Sequence, residues 1–159
     1  GRPSVKIMGC LPPLVESHRP DLTEDAYEKE GAAFFAGVYK TIVKALAEDV
    51  DIFLAETMST VQEMLCAVHA ASAVGKPVIV SMAAGLRNRA LEAMPIRAAD
   101  MAKIVLKEVQ QGRATIPALC FNCGSPEACT QALQAIPRDL RERLRNAKIT
   151  LGVYPNLSR

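Results

Sequence analysis

Tryptophan is absent from this sequence, and all aromatic residues together make up 4% of its 159 positions. A core built from it must therefore be aliphatic, because large aromatic side chains, where present, carry much of a core's buried area. No apolar run approaches the roughly 18 residues of a membrane-spanning helix. The opening "GRPSVKIMGC" lacks a charged-then-apolar leader pattern and an initiator Met, so the chain is expected to begin inside a larger protein. Excess charge is lacking as well. The 19 basic and 17 acidic residues leave a net charge of +2, too little to imply nucleic acid or a membrane surface as partner. No G-x-G-x-x-G or G-x-x-x-x-G-K follows a strand-like run, which removes the usual nucleotide fingerprints. Five cysteines (Cys10, Cys66, Cys120, Cys123, Cys129) form an odd set without a leader. That argues against a disulfide framework and for a reducing, cytoplasmic setting.

What is present is alternation. Five short apolar, partly β-branched runs read as strands: "SVKIMGC" (4–10), "VDIFLAET" (50–57), "KPVIVSM" (76–82), "TIPALCFN" (115–122) and "KITLGVY" (148–154). None alternates strictly, which is the pattern of strands covered on both faces. Between them lie helical segments. Residues 31–48 set Phe34, Val38, Ile42, Ala45 and Leu46 on one stripe; residues 60–74 do the same with Val61, Leu65, Val68 and Ala71, behind a Ser59/Gln62 capping box; residues 98–110 repeat it with Met101, Val105 and Val109. Ser125-Pro126 reads as N-cap and first turn of a further helix, and "RDLRERLRNA" follows Pro137 as another. Two irregular stretches, 11–25 and 83–97, follow strand ends and are expected as loops.

Strand and helix therefore alternate, as parallel strands joined by right-handed crossovers require. Two architectures fit, an open doubly wound sheet and a (β/α)₈ barrel. A complete barrel has eight units and roughly 250 residues, so this chain would represent about five βα units. In either architecture ligands gather at the carboxyl ends of the strands.

"ALCFNCGSPEA" holds Cys120 and Cys123 at C-x-x-C spacing. A metal clamp needs a turn between the thiols, and a redox couple needs them at a helix start. Inside a β-run an odd separation puts the two on opposite faces. Cys120 then reads as a packing residue, like Cys10, Cys66 and Cys129. Cys123 reads as a strand-tip residue facing a helix N-terminus, either structural or functional. His69 reads as a packed or surface histidine within its helix. His18 sits in the "ESHRPDL" loop, where Arg19-Pro20-Asp21 is expected to fix the chain by an ion pair or Asx turn.

The blocks "GCLPPLVESHRPDL" (9–22), "DIFLAETMSTVQEM" (51–64), "KPVIVSM" (76–82), "CFNCGSPE" (120–127) and "GVYPN" (152–156) occur in this order. Together they resemble the homocysteine S-methyltransferase family. "LPP…S-x-RPDL" is most similar to the branch that takes its methyl group from S-methylmethionine. The resemblance implies a (β/α)₈ TIM barrel with a zinc ion held by three cysteines at its C-terminal mouth. Cys123 matches the first of these ligands, and nothing matches the later Gly-Gly-Cys-Cys segment. The five strands would then be strands three to seven of a single homocysteine-binding domain, with residues 1–159 its central portion. Glu56, in "LAET", matches the glutamate expected to hold the homocysteine amino group. Asn122 and Asn156 would line the mouth as substrate-binding residues, or serve as plain turn residues.

The implied function is zinc-dependent transfer of a methyl group from a sulfonium donor to the thiol of homocysteine, giving methionine. The partners are these small molecules, with neither nucleic acid nor membrane. The competing expectation is a non-catalytic fragment or degenerate barrel homologue that cannot bind zinc alone.

Overall fold

The computed structural model describes residues 5–84 and 94–156. It forms a parallel sheet with six helices in the order β1 (Met8–Leu11), α1 (Pro20–Glu30), α2 (Ala32–Leu46), β2 (Ile52–Met58), α3 (Val61–Ala73), β3 (Val78–Ala83), α4 (Met94–Gln110), β4 (Ala118–Asn122), α5 (Pro126–Gln134), α6 (Arg138–Asn146) and β5 (Thr150–Tyr154). The five strands lie side by side in sequence order and pair in parallel throughout. A doubly wound sheet reverses its winding direction partway. This one never reverses, so that alternative is excluded for the described residues.

Constant winding with right-handed crossovers puts the helices on one face, and burial agrees. Phe53, Ala55, Val78, Val80, Leu119 and Phe121 are buried among Met64, Val68, Ala102, Val105 and Cys129. On the opposite face Met8 and Cys10 are exposed, and Ile52, Leu54, Glu56, Ile79 and Cys120 are only half-buried. Two covered faces, expected from the unbroken apolar runs, are thus not what these residues form. The second face is apolar in composition yet open. It is also concave. Side chains stand roughly perpendicular to a sheet, and a flat sheet would set β2 and β5 about 14 Å apart. Yet the Tyr154 hydroxyl lies 3.3 Å from Glu56 Oε1.

Four further expectations change. The 11–25 stretch is helical from Pro20, because proline is tolerated at the first helical position and Arg19 grips Asp21 through two nitrogens, Nε to Oδ1 at 2.9 Å and Nη2 to Oδ2 at 2.6 Å. That is the ion pair expected there. The helix stops at Gly31, whose φ of 83° favours a residue without Cβ. Of the second expected loop, residues 85–93 lie outside the described residues, and α4 already starts at Met94. The buried stripe of α2 is Phe35, Tyr39 and Val43, while Phe34 is 50% exposed. The stripe is displaced by one residue because Tyr39, despite its hydroxyl, is fully buried. Finally, α3 is capped by Thr60, whose hydroxyl accepts from the Glu63 amide, one position beyond the expected Ser59/Gln62 pair. Ser125 caps α5 with Pro126 in its first turn, as expected.

Candidate active site

All strands run in parallel, so their carboxyl ends meet at one edge. Glu56, Thr57, Ser81, Asn122, Cys123, Tyr154 and Asn156 lie at or just beyond these ends, with Cys10 on neighbouring β1. The backbone there is irregular. Three residues of β2, from after Ala55 to Met58, span the two of β3 that end at Met82, so the register shifts. Thr57 inside this bulge has φ 59°, a left-handed conformation that a β-branched residue adopts only at a cost of about 1–3 kcal/mol. Cys123 also has φ 53°. Bulges re-aim side chains, and here Thr57 Oγ1 meets Asn122 Nδ2 at 2.8 Å, two strands away.

Two hydrogen-bonded groups result. In the first, Ser81 Oγ donates to Asn122 Oδ1 at 2.9 Å, which fixes the amide with its nitrogen pointing away. That nitrogen donates to Thr57 Oγ1 at 2.8 Å and to Cys123 Sγ at 3.3 Å. The Thr57 hydroxyl, having accepted from Asn122, has its own proton free for Cys123 Sγ at 3.7 Å. Asn122 is 1% exposed, and every polar atom of its amide is engaged inside the protein. In the second group Glu56 receives the Tyr154 hydroxyl on Oε1 at 3.3 Å and the Cys10 thiol on Oε2 at 3.5 Å. Burial, then the hydrogen bond to Glu56 and its negative charge, push the Cys10 thiol up to about 11. Tyr154 rises further, first through burial.

Asn156 stands beyond the tip of β5, and its amide donates to Gly124 O at 2.9 Å, tying this end to the Cys123 turn. Cys120 is half-buried and its thiol is raised by burial. Its sulfur would lie 3.0 Å from a Cβ placed on Gly152, so the glycine is needed to let it lie there. The alternation rule does not reach Cys123, because β4 ends at Asn122. Cys129 is buried and packs as expected, its thiol 3.7 Å from Phe121 O. Cys10 overturns its packing assignment, since it is exposed on the concave face and bonded to Glu56. His69 pairs with Glu108 on the helical side, far along the sequence from any strand tip. His18, at φ 67°, has a buried Nδ1 without a partner. A groove of about 560 Å³ among Tyr27, Leu65, Cys66 and His69 also lies between helices and not at the strand ends.

Thr57, Ser81, Cys10 and Tyr154 were missed in the sequence. Period-two counting back from Asn122 and Glu56 would have put Cys120 and Leu54 on the concave face, but strand register is needed to add Cys10 and Tyr154. Among the described residues no group of three His, Cys, Asp or Glu side chains could hold a metal ion. Cys123 offers a soft donor suited to zinc, with Asn122 and Thr57 behind it.

A constantly wound parallel sheet with a carboxylate, thiols and hydroxyls collected at its carboxyl edge defines an α/β protein of the kind that binds small molecules there. The homocysteine S-methyltransferase family model matches residues 2–159, and the chain belongs to that family. No curated protein matches the chain. No helix among the described residues is long and apolar enough to cross a membrane.

Proposed function

We propose that this chain is the central part of a (β/α)₈ barrel that transfers a methyl group from a sulfonium donor, S-methylmethionine-like, to the sulfur of homocysteine. The observation that carries the reading is the placement of Glu56 and Cys123 at one carboxyl edge of a curled sheet in a chain of this family. Curvature and constant winding both support the barrel.

Methyl transfer makes one S–C bond and breaks another. The homocysteine sulfur attacks the methyl carbon, and the donor sulfur leaves as a neutral thioether. The reaction needs a thiolate acceptor, and Cys123 would help to hold a zinc ion there, which when bound would supply that thiolate by lowering the pKa of the substrate thiol. The chain's own residues do the rest. Glu56 pairs with the substrate ammonium by a charge-assisted bond. Tyr154 and Cys10 hold one carboxylate oxygen each and so fix the plane of that carboxylate. Asn122, its amide already committed, serves the site through Cys123 and not through substrate. Asn156 lines the mouth beside the Cys123 turn. Aligning donor and acceptor is worth several kcal/mol. The five free cysteines suit a reducing cytoplasm.

In the complete protein, Cys123→Ala is expected to lose zinc and turnover together. Retained zinc with normal turnover would overturn the assignment. The lack of a three-ligand set among the described residues favours a second reading, a degenerate homologue without catalysis. Purified complete protein that holds no zinc and turns over no homocysteine would establish that reading instead.

A further inference from the structure

Glu63 is fully buried in the first turn of α3. Its Oε1 accepts from the Leu14 amide at 2.7 Å and lies 3.1 Å from the Tyr39 hydroxyl. Its Oε2 is buried with no partner. Tyr39, from α2, also reaches Pro12 O at 2.9 Å. A tyrosine has one proton, and here it has two oxygens to satisfy. The three contacts all become hydrogen bonds only if Glu63 carries a proton on Oε1. Leu14 N–H then donates to Oε1, the acid O–H donates to Tyr39 Oη, and Tyr39 O–H donates to Pro12 O. An ionised Glu63 would make Tyr39 choose between Pro12 and the carboxylate, and would bury a charged oxygen with no donor.

The surroundings favour the neutral acid. Burial raises the Glu63 carboxyl, against the two hydrogen bonds that lower it. The titratable neighbours are Tyr39 from α2, Cys66 farther along α3 and, on the other side of Tyr39, Cys10 of β1. All are neutral at pH 7, and among the described residues no basic side chain faces the acid. The segment it grips, Pro12–Leu14, directly follows β1 at the same edge as Glu56 and Cys123.

We propose that Glu63 is a positioning residue which, as the neutral acid, clamps Pro12–Leu14 at the mouth of the site through Tyr39, and that losing its proton to solvent releases that segment. The clamp stands on the geometry alone; only its effect on turnover rests on the proposed function.

The test is hydrogen exchange at the amides of Leu14, Val15, Glu16 and Ser17 in the wild-type chain and in Glu63→Gln, from mildly acidic to mildly alkaline pH. Their rate ratio cancels base catalysis of exchange. It is expected to rise with pH, by up to about tenfold per unit, from the acid's ordinary value near 4.5 toward its raised value in the clamped state and to level off above that, as loss of one proton dictates, while Glu63→Gln alone shows no such opening. A ratio independent of pH overturns the proposal. Should Glu63→Gln fail to fold, Tyr39→Phe keeps the acid and cuts its link to Pro12. Fast exchange at every pH is expected, and a wild-type pH response in Tyr39→Phe would overturn the clamp. In the complete protein, KM for homocysteine or donor should rise with pH in wild type and not in Glu63→Gln, with kcat unchanged. Equal KM profiles overturn the placement of this segment at the site. If homocysteine is not turned over at all, the proposed function fails while exchange still decides the clamp.

Discussion

Tyr154 and Glu56 touch at 3.3 Å although two strands stand between theirs. The contact reaches across the open concave face and leaves one carboxylate oxygen oriented by a phenol. Removing that donor leaves the carboxylate in place but free to rotate. Tyr154→Phe in the complete protein is expected to raise KM for homocysteine about three- to tenfold, the effect of one long, exposed hydrogen bond, with a smaller change in kcat. Steady-state kinetics against both substrates check this. An effect confined to the donor's KM would mean that Glu56 does not hold the amino acid.

Cys10 is exposed, yet its thiol is pushed up to about 11 by burial of the sulfur and by the Glu56 carboxylate. The thiolate is the reactive form, so at pH 7 this accessible cysteine should alkylate slowly, and faster as pH climbs toward that value. Glu56→Gln removes the charge that disfavours the thiolate. Labelling at Cys10 should then quicken several-fold at neutral pH. Site-resolved mass spectrometry of iodoacetamide adducts reads it directly, and equal rates in both proteins would remove Glu56 as the cause.

The strands were legible because apolar β-branched runs have few other uses in a chain with so little aromatic content. Ile52–Met58 and Val78–Ala83 fall within a residue or two of their expected spans. α1 was hidden by Pro20 and its charges, which signal a loop until Arg19 and Asp21 are seen paired. Glu56 and Cys123 stood out as strand-tip residues in recognisable blocks. Thr57 did not, because a bulge reverses the facing that alternation assigns. Cys10 and Tyr154 depend on which strands are neighbours and how the sheet curls, and neither is written locally. Glu63 was concealed by its type, since a glutamate in a first helical turn ordinarily faces water.

Asn122 makes the site's sulfur dependent on a residue that does not itself meet solvent. Asn122→Ala would leave Ser81, Thr57 and Cys123 each short of a partner inside the protein. A stability loss of about 1–3 kcal/mol is expected from the unpaired groups. If Cys123 holds zinc as proposed, zinc affinity of the complete protein should also fall about 10- to 100-fold, the usual cost of losing a group that orients a metal ligand. Chelator competition gives the affinity and denaturant unfolding the stability. Weakened zinc in Thr57→Val as well would tie both donors to Cys123, and unchanged zinc in both variants would leave the network a purely structural one.

Glu108 is a buried charge in the helical layer. It is 4% exposed, and it receives Arg113 through two guanidinium nitrogens and His69 at 2.9 Å. The Arg113 hydrogen bonds come first in holding its carboxyl down at about 2, with His69 adding to them against the opposing pull of burial. A carboxyl lowered on folding contributes stability that is complete above its unfolded value near 4.5 and is lost as pH falls toward about 2. Glu108→Gln should therefore lower stability by about 1–3 kcal/mol at pH 7, with Arg113 and His69 half-exposed and partly rescued by water. The difference from wild type should shrink as pH drops below that window's upper edge and vanish near its lower one. Urea unfolding followed from neutral to acid pH checks both the size and the direction, and a gap that widens in acid would mean that Glu108 is protonated in the native state.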